Sequence, residues 1–168
     1  MTDPVATKES PKPGDSEKVT AAPTAEPTPT EVPVLEQNEP GNFIIASDVS
    51  SADIYVDKKG KDYDGLSLVA QSFQKDVTVV TTKGAKPRVV DEVSKIRKSA
   101  IIAGSIGNNE VIDKLIAEGK LDVSDIKDKK ETYKIQVVKN PADGVELGLV
   151  IAGSDKRGTI YGIYHISE

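Results

Sequence analysis

Two glycine-rich turns in this 168-residue chain have the composition of anion sites. Gly104-Ser-Ile-Gly107 and Gly153-Ser-Asp-Lys-Arg-Gly158 each follow an apolar run and precede a helical pattern. A turn of that kind offers free backbone N–H groups at a helix start to a phosphate or carboxylate. Neither matches the Gly-x-Gly-x-x-Gly spacing of a dinucleotide site or carries the Lys-Ser/Thr pair of a Walker loop. A glycine at a strand end equally serves a tight strand-to-helix turn with no ligand at all. The second turn adds charge: Asp155, Lys156 and Arg157 stand at the carboxyl end of a strand, where α/β sheets tend to build sites. An Arg–Asp pair there orients a polar group of a substrate or of a partner domain. The alternative is a helix N-cap by Ser154 or Asp155 with solvated basic neighbours.

Other chemistries find less support. Glycoside hydrolysis typically takes two carboxylates held across a sugar. The acids here lie mostly in exposed runs, Asp122-Val-Ser-Asp125 and Asp128-Lys-Lys-Glu131, and no spacing singles out an acid/base pair. Cysteine is absent, which excludes a disulfide framework, a thiolate metal site and a cysteine nucleophile. The single histidine, His165, has no partners at ligand spacing and reads as a structural side chain. No metal and no cofactor are expected.

The elements that would hold these turns follow from period. Asn42 to Ser47 is a short apolar run that suits a strand, and Ala52 to Asp57 alternates, with Ile54 and Val56 on one face. Leu66, Val69, Ala70, Phe73, Val77 and Val80 recur at threes and fours, one face of a long helix. Ser99 to Gly104 and Leu147 to Gly153 are continuously apolar, as strands in the middle of a sheet are. Asn108 or Asn109 caps the helix between them, Val111, Ile112, Leu115 and Ile116 form its buried stripe, and Gly119 ends it. Tyr133 to Val138 alternates as a strand, and Asn140 to Gly144 reads as a turn. Ile160, Ile163 and Tyr164 mark a last helix, expected to pack beside Ile101 and Ile151. Strands alternating with helices predict an α/β fold, a two-layer mixed sheet of about five strands with helices packed on it.

Charge divides the chain. Residues 1–41 hold eight acids against three lysines, which accounts for the whole net charge of −5, so the rest is neutral. Eight of the ten prolines fall within residues 1–40, and all seven aromatics come after residue 42. Such a segment lacks the apolar surface to offset chain entropy, so a disordered tail is expected over 1–41 and one α/β domain over 42–168. The tail's composition fits a linker, an O-glycosylated stalk or a tail with no specific task. A neutral body gives no electrostatic case for nucleic acid or an anionic membrane surface. No run of about 18 apolar residues spans a bilayer, and no apolar signal core follows the first charges. The compartment stays open.

Ile101-Ile-Ala-Gly-Ser-Ile-Gly107, Val111 to Ile126, and Leu149-Val-Ile-Ala-Gly-Ser-Asp-Lys-Arg-Gly-Thr-Ile-Tyr-Gly-Ile-Tyr164 together resemble glycoside hydrolase family 115, the xylan α-glucuronidases. Ser154 to Gly162 is the most specific part, and Asp64 to Pro87 is similar but weaker. The resemblance covers residues 42–168. It implies an N-terminal, non-catalytic α/β domain set before an eight-stranded barrel that carries the catalytic carboxylates. In that family the barrel removes α-linked glucuronic acid, or its methyl ether, from xylan with inversion. A barrel of that type takes about 250 residues, so no catalytic residue is expected here. The implied partners are the barrel domain and xylan-derived carbohydrate, and family members are often secreted. Departures from the family pattern are His165, where Asp is usual, and Asp128 and Lys130, where Gly and a nearby aromatic are usual. The Trp-rich segment that leads into the barrel also has no counterpart here. On this reading Asp155, Lys156 and Arg157 face the barrel, and the outer apolar residues of the last helix are covered by it, so the chain alone is expected to self-associate. The alternative is a free-standing interaction or ligand-binding module without catalytic activity.

Overall fold

A computed structural model describes residues 42–81 and 83–168; the expected disordered tail lies outside the described residues. The elements run β1 (Asp53–Val56), α1 (Tyr63–Val80), β2 (Val89–Val90), β3 (Ser99–Ser105), α2 (Glu110–Ala117), β4 (Tyr133–Ala142), β5 (Val145–Gly153) and α3 (Lys156–His165). The five strands form one sheet in the order β2-β1-β3-β5-β4. The pairs β1–β2, β1–β3 and β3–β5 are parallel, and β4 runs antiparallel to β5 at the edge. The expected mixed α/β sheet of five strands is therefore present.

Pleat decides which helix meets which residue. Ile54, Val56, Ile101, Ala103, Leu149 and Ile151 point to one face, where Leu66, Ala70 and Phe73 of α1 and Ile163 of α3 cover them. Tyr55, Ala100, Ile102, Val150 and Ala152 point to the other, under Val111, Ile112 and Leu115 of α2 and the segment carrying Leu121, Val123 and Ile126. β1, β3 and β5 are buried on both faces, which explains their unbroken apolar runs. A fully buried isoleucine such as Ile102 or Ile151 stabilises the fold by about 2 kcal/mol. Because helices cover both faces, the layers number three and not two. A single apolar stripe per helix does not say which face of a sheet it meets.

Other expectations need local correction. Asn42 to Ser47 is not a strand of the sheet. Among the described residues its only ladder contact is an isolated bridge from Ala46 to Ser51, because the chain reverses at once through a Ser47–Ser50 turn. Phe43 and Ile45 are apolar because they pack against the α1/α3 face. Val80 does not belong to the buried stripe of α1; it is 81% exposed. Asn140 to Gly144 is only in part a turn. β4 continues to Ala142 through an irregularity after Lys139, with Asn140 at φ 48°, and the reversal is left to Asp143 and Gly144. Asn109, rather than Asn108, caps α2, accepting from the Val111 and Ile112 N–H groups. Gly119 ends that helix at φ 69°. Ile163 is buried with Ile101 and Ile151 as expected.

Candidate functional site

β1 leads through α1 on one face, and β3 leads through α2 on the other. The sheet order 2-1-3 thus reverses between β1 and β3, the position at which open α/β sheets form a ligand crevice at the strand carboxyl ends. Two loops meet there, Asp57 to Asp62 after β1 and Ser105 to Asn109 after β3.

The chain itself fills this crevice. The Asp57 carboxylate, 6% exposed, accepts from the Lys59 N–H at 2.9 Å and from the Glu110 N–H at 3.0 Å. Burial, and after it the neighbouring Asp57 carboxylate, push the adjacent Tyr55 phenol up from its ordinary value. Asp62 stands at the N-cap position of α1 but makes no side-chain cap bond. Instead its carboxylate accepts from the Ser105 hydroxyl, which in turn accepts from the Asn108 amide at 3.3 Å. Gly60 lies so close to the Asn108 carbonyl that a side chain there would collide with it. A serine bonded to a carboxylate is half of an activated nucleophile. Ser105, however, is 1% exposed and its hydroxyl already donates and accepts, so the pair ties one loop to the other.

The first glycine turn is spent in the same way. A Cβ on Gly104 would come within 2.6 Å of the Asn109 side chain, whose amide donates to the Ala103 carbonyl at 3.3 Å. Gly107 adopts φ 78°, which favours glycine, and its N–H donates to Asp113 at 2.8 Å. Tight packing accounts for Gly104 and a left-handed backbone for Gly107, and neither requires a ligand.

In the second turn the cap reading is the one present. Asp155 is the N-cap of α3; its carboxylate accepts from the Gly158 N–H at 2.8 Å and the Glu131 N–H at 2.9 Å. Burial pushes this carboxyl up, but the N–H bonds outweigh it and hold the group below its ordinary value. Arg157 donates to Glu131 at 2.6 Å, and Glu131 sits at φ 57°. Ser154 bonds Thr132 through both its N–H and its hydroxyl. Gly158 leaves room for the Thr132 carbonyl, and Gly153 for Thr159. The Lys156 stem lies over Gly65 of α1. The structure thus brings Asp155 and Arg157 onto one neighbour, the Glu131–Thr132 segment, and sends Lys156 the other way.

Two features escape a reading by motif. Asp53, at the amino end of β1 and fully buried, is clasped by two arginines. Arg88 donates to both its oxygens at 3.0 Å. Arg97 donates through its backbone N–H at 2.8 Å and its guanidinium at 2.6 Å. The one signal was an acid inside an apolar alternation. The second is a hollow of about 400 Å³ lined by Tyr133, Tyr161, Tyr164, His165, Ser167 and Glu168. There the Tyr133 hydroxyl and His165 Nδ1 share a hydrogen bond of 2.9 Å. Another hollow, of about 470 Å³, flanks the β4–β5 hairpin and is lined by Asn140 to Glu146 with Lys114, Glu118 and Lys120. Among the described residues no cluster of three His, Asp or Glu side chains could hold a metal ion, and no helix is long and apolar enough to cross a membrane.

No model of a known protein family matches the chain, and no curated protein matches it. Solved structures do. One is a family GH115 4-O-methyl-alpha-glucuronidase with specificity for decorated arabinogalactans, matched at 26% identity and a TM-score of 0.50 over 75% of this chain. The match spans 14% of that enzyme's length. The likeness carried by the two glycine turns and their strands is thereby borne out: this α/β unit is similar, in fold and in sequence, to one segment of a family GH115 alpha-glucuronidase.

Proposed function

We propose that the chain is an accessory α/β domain of a glycoside hydrolase that removes glucuronic acid, or its methyl ether, from decorated polysaccharide. It contributes to that reaction only when joined to a catalytic barrel. The observation that carries this reading is the match to a 14% segment of a 4-O-methyl-alpha-glucuronidase, combined with acids in the loops after β1 and β5 that are already occupied. Asp57, Asp62 and Asp155 each accept hydrogen bonds from their own chain, so none is free to protonate a leaving group. The substrate is xylan or a similarly decorated glycan, and the partner is the barrel. This reading assigns Asp155, Lys156 and Arg157, which follow β5, to the side that faces the barrel.

A second reading, a free-standing interaction module, draws support from the completeness of the domain. Among the described residues no buried side-chain polar atom lacks a hydrogen-bond partner, so the unit closes its own core. A chimera separates the two. Residues 42–168 would replace the matching segment of the similar glucuronidase, and release of methylglucuronic acid would be measured against the parent. Activity within about tenfold of the parent, a loss of no more than 1.4 kcal/mol, supports the accessory reading. A soluble but inactive chimera favours the free-standing module.

A further inference from the structure

The hollow against α3 has a lining that neither the fold nor the crevice explains. Tyr161 and Tyr164 are neighbours on the helix surface and are 45% and 50% exposed, a large solvent-facing share for an aromatic side chain. Tyr133 reaches them from the edge strand by lying over Gly162, where a Cβ would come within 3.2 Å of its ring. The hydrogen bond to His165 Nδ1, with the two rings 5.8 Å apart and tilted by 59°, fixes that ring. Ser167 and Glu168 complete the wall. Every lining group is either aromatic or able to hydrogen-bond, and no aliphatic side chain takes part.

We propose that this hollow is a subsite for neutral pyranose units of a polysaccharide backbone, which stack on Tyr161 and Tyr164 and hydrogen-bond at the His165–Glu168 end. The inference rests on the glycoside-hydrolase reading above. A sugar ring presents C–H faces and hydroxyl edges, and tyrosine pairs an apolar face with a polar tip. The volume of about 400 Å³ falls within the range of small-ligand sites, roughly 300–1,000 Å³. This departs from the expectation that the barrel covers the outer residues of α3: stable protein contacts need about 800 Å² per side, and six residues line this hollow. A uronic acid fits less well too. Glu168 brings a carboxylate to the wall, and Arg157, one turn before Tyr161, is already paired with Glu131 at 2.6 Å.

The test is amide NMR of the whole chain titrated with xylohexaose, with a β-linked galacto-oligosaccharide and with glucuronic acid. Shifts confined to Tyr133 and residues 161–168 are expected with at least one neutral oligosaccharide and not with the acid. The double variant Tyr161→Ala, Tyr164→Ala should melt as the parent does and bind at least about tenfold more weakly. Tyr133→Phe, which keeps the ring but loses the bond to His165, should weaken binding less. No shift with either oligosaccharide, shifts centred on Asp57 to Asp62 instead, or undiminished binding by the double variant overturns the proposal. So does a dimer by sedimentation that the double variant returns to monomer. The accessory reading fails separately: a dead chimera with intact oligosaccharide shifts removes that reading and leaves the subsite. An active chimera without shifts does the reverse.

Discussion

Replacing Asp53 by asparagine tests the account of the fold at its most charged point. Asp53 is fully buried, whereas the side chains of Arg88 and Arg97 that clasp it are 51% and 45% exposed. Asparagine preserves size and one acceptor but turns an amide N–H pair toward two guanidinium groups that cannot accept. The loss therefore combines charge-assisted hydrogen bonds, each worth about 1.5–3 kcal/mol, with a buried unsatisfied donor costing about 1–3 kcal/mol. The arginines rotate into water and recover part of this. The net expectation is about 3 kcal/mol, at the lower edge of the range for a broken buried ion pair. For a domain of this size that lowers Tm by roughly 10 °C. Arg88→Ala should cost less, because Arg97 still supplies its backbone N–H and guanidinium. The pH dependence follows from the same geometry. Burial alone pushes the Asp53 carboxyl up, but the bonds from Arg88 and Arg97 prevail and hold it below its ordinary 3.8. A lowered folded value means stability is fully present above the unfolded value, about 3.9, and is lost as pH falls through the folded one. Urea melts of parent and variant at neutral pH and in acid read this directly. The gap should be widest near neutrality and close in strong acid. A variant as stable as the parent, or a gap that grows on acidification, would refute the reasoning.

Three further outcomes rest on single contacts. Gly158→Ala should destabilise by about 1–3 kcal/mol through overpacking, because its methyl meets the Thr132 carbonyl; thermal melts check it. Asn109→Ala removes the cap bonds to Val111 and Ile112 and should cost about 1–2 kcal/mol, with hydrogen exchange accelerated first in α2. Ser105→Ala should leave the activity of the chimera within about twofold while loosening the two crevice loops, since a hydroxyl so bonded serves position and not chemistry; kinetics and loop amide exchange separate the two effects.

Much of the architecture was legible because buried parallel strands advertise themselves. Ser99 to Ser105 and Val145 to Gly153 carry apolar residues on both faces, as the middle of a covered sheet demands. α1 and α2 show their stripes because only one side of each meets the sheet. What stayed hidden has a common cause: it depends on partners distant in the chain. Val89 and Val90 pair with Ile54 and Tyr55 over a stretch too short to display a period. Asn42 to Ser47 has strand-like composition, yet its apolar side chains serve a hook. The layer count depends on which face each helix meets, which no stripe records. At the site, the glycine turns and the Asp155 cap were readable from local chemistry. The Asp62–Ser105 tie and the clasp on Asp53 bridge residues 43 and 35 or more positions apart, beyond the reach of any spacing rule.

The most direct measurement of the central claim is an end-point assay of the isolated chain on glucuronoxylan and on decorated arabinogalactan, with the released sugars resolved by chromatography. The account predicts no release of glucuronic acid or its methyl ether by the chain alone, at any pH at which it is folded, because Asp57, Asp62 and Asp155 are committed to its own loops. Turnover that survives purification and is lost on replacing Asp57, Asp62 or Asp155 by asparagine would contradict it, and would make the loops at the strand carboxyl ends a catalytic centre.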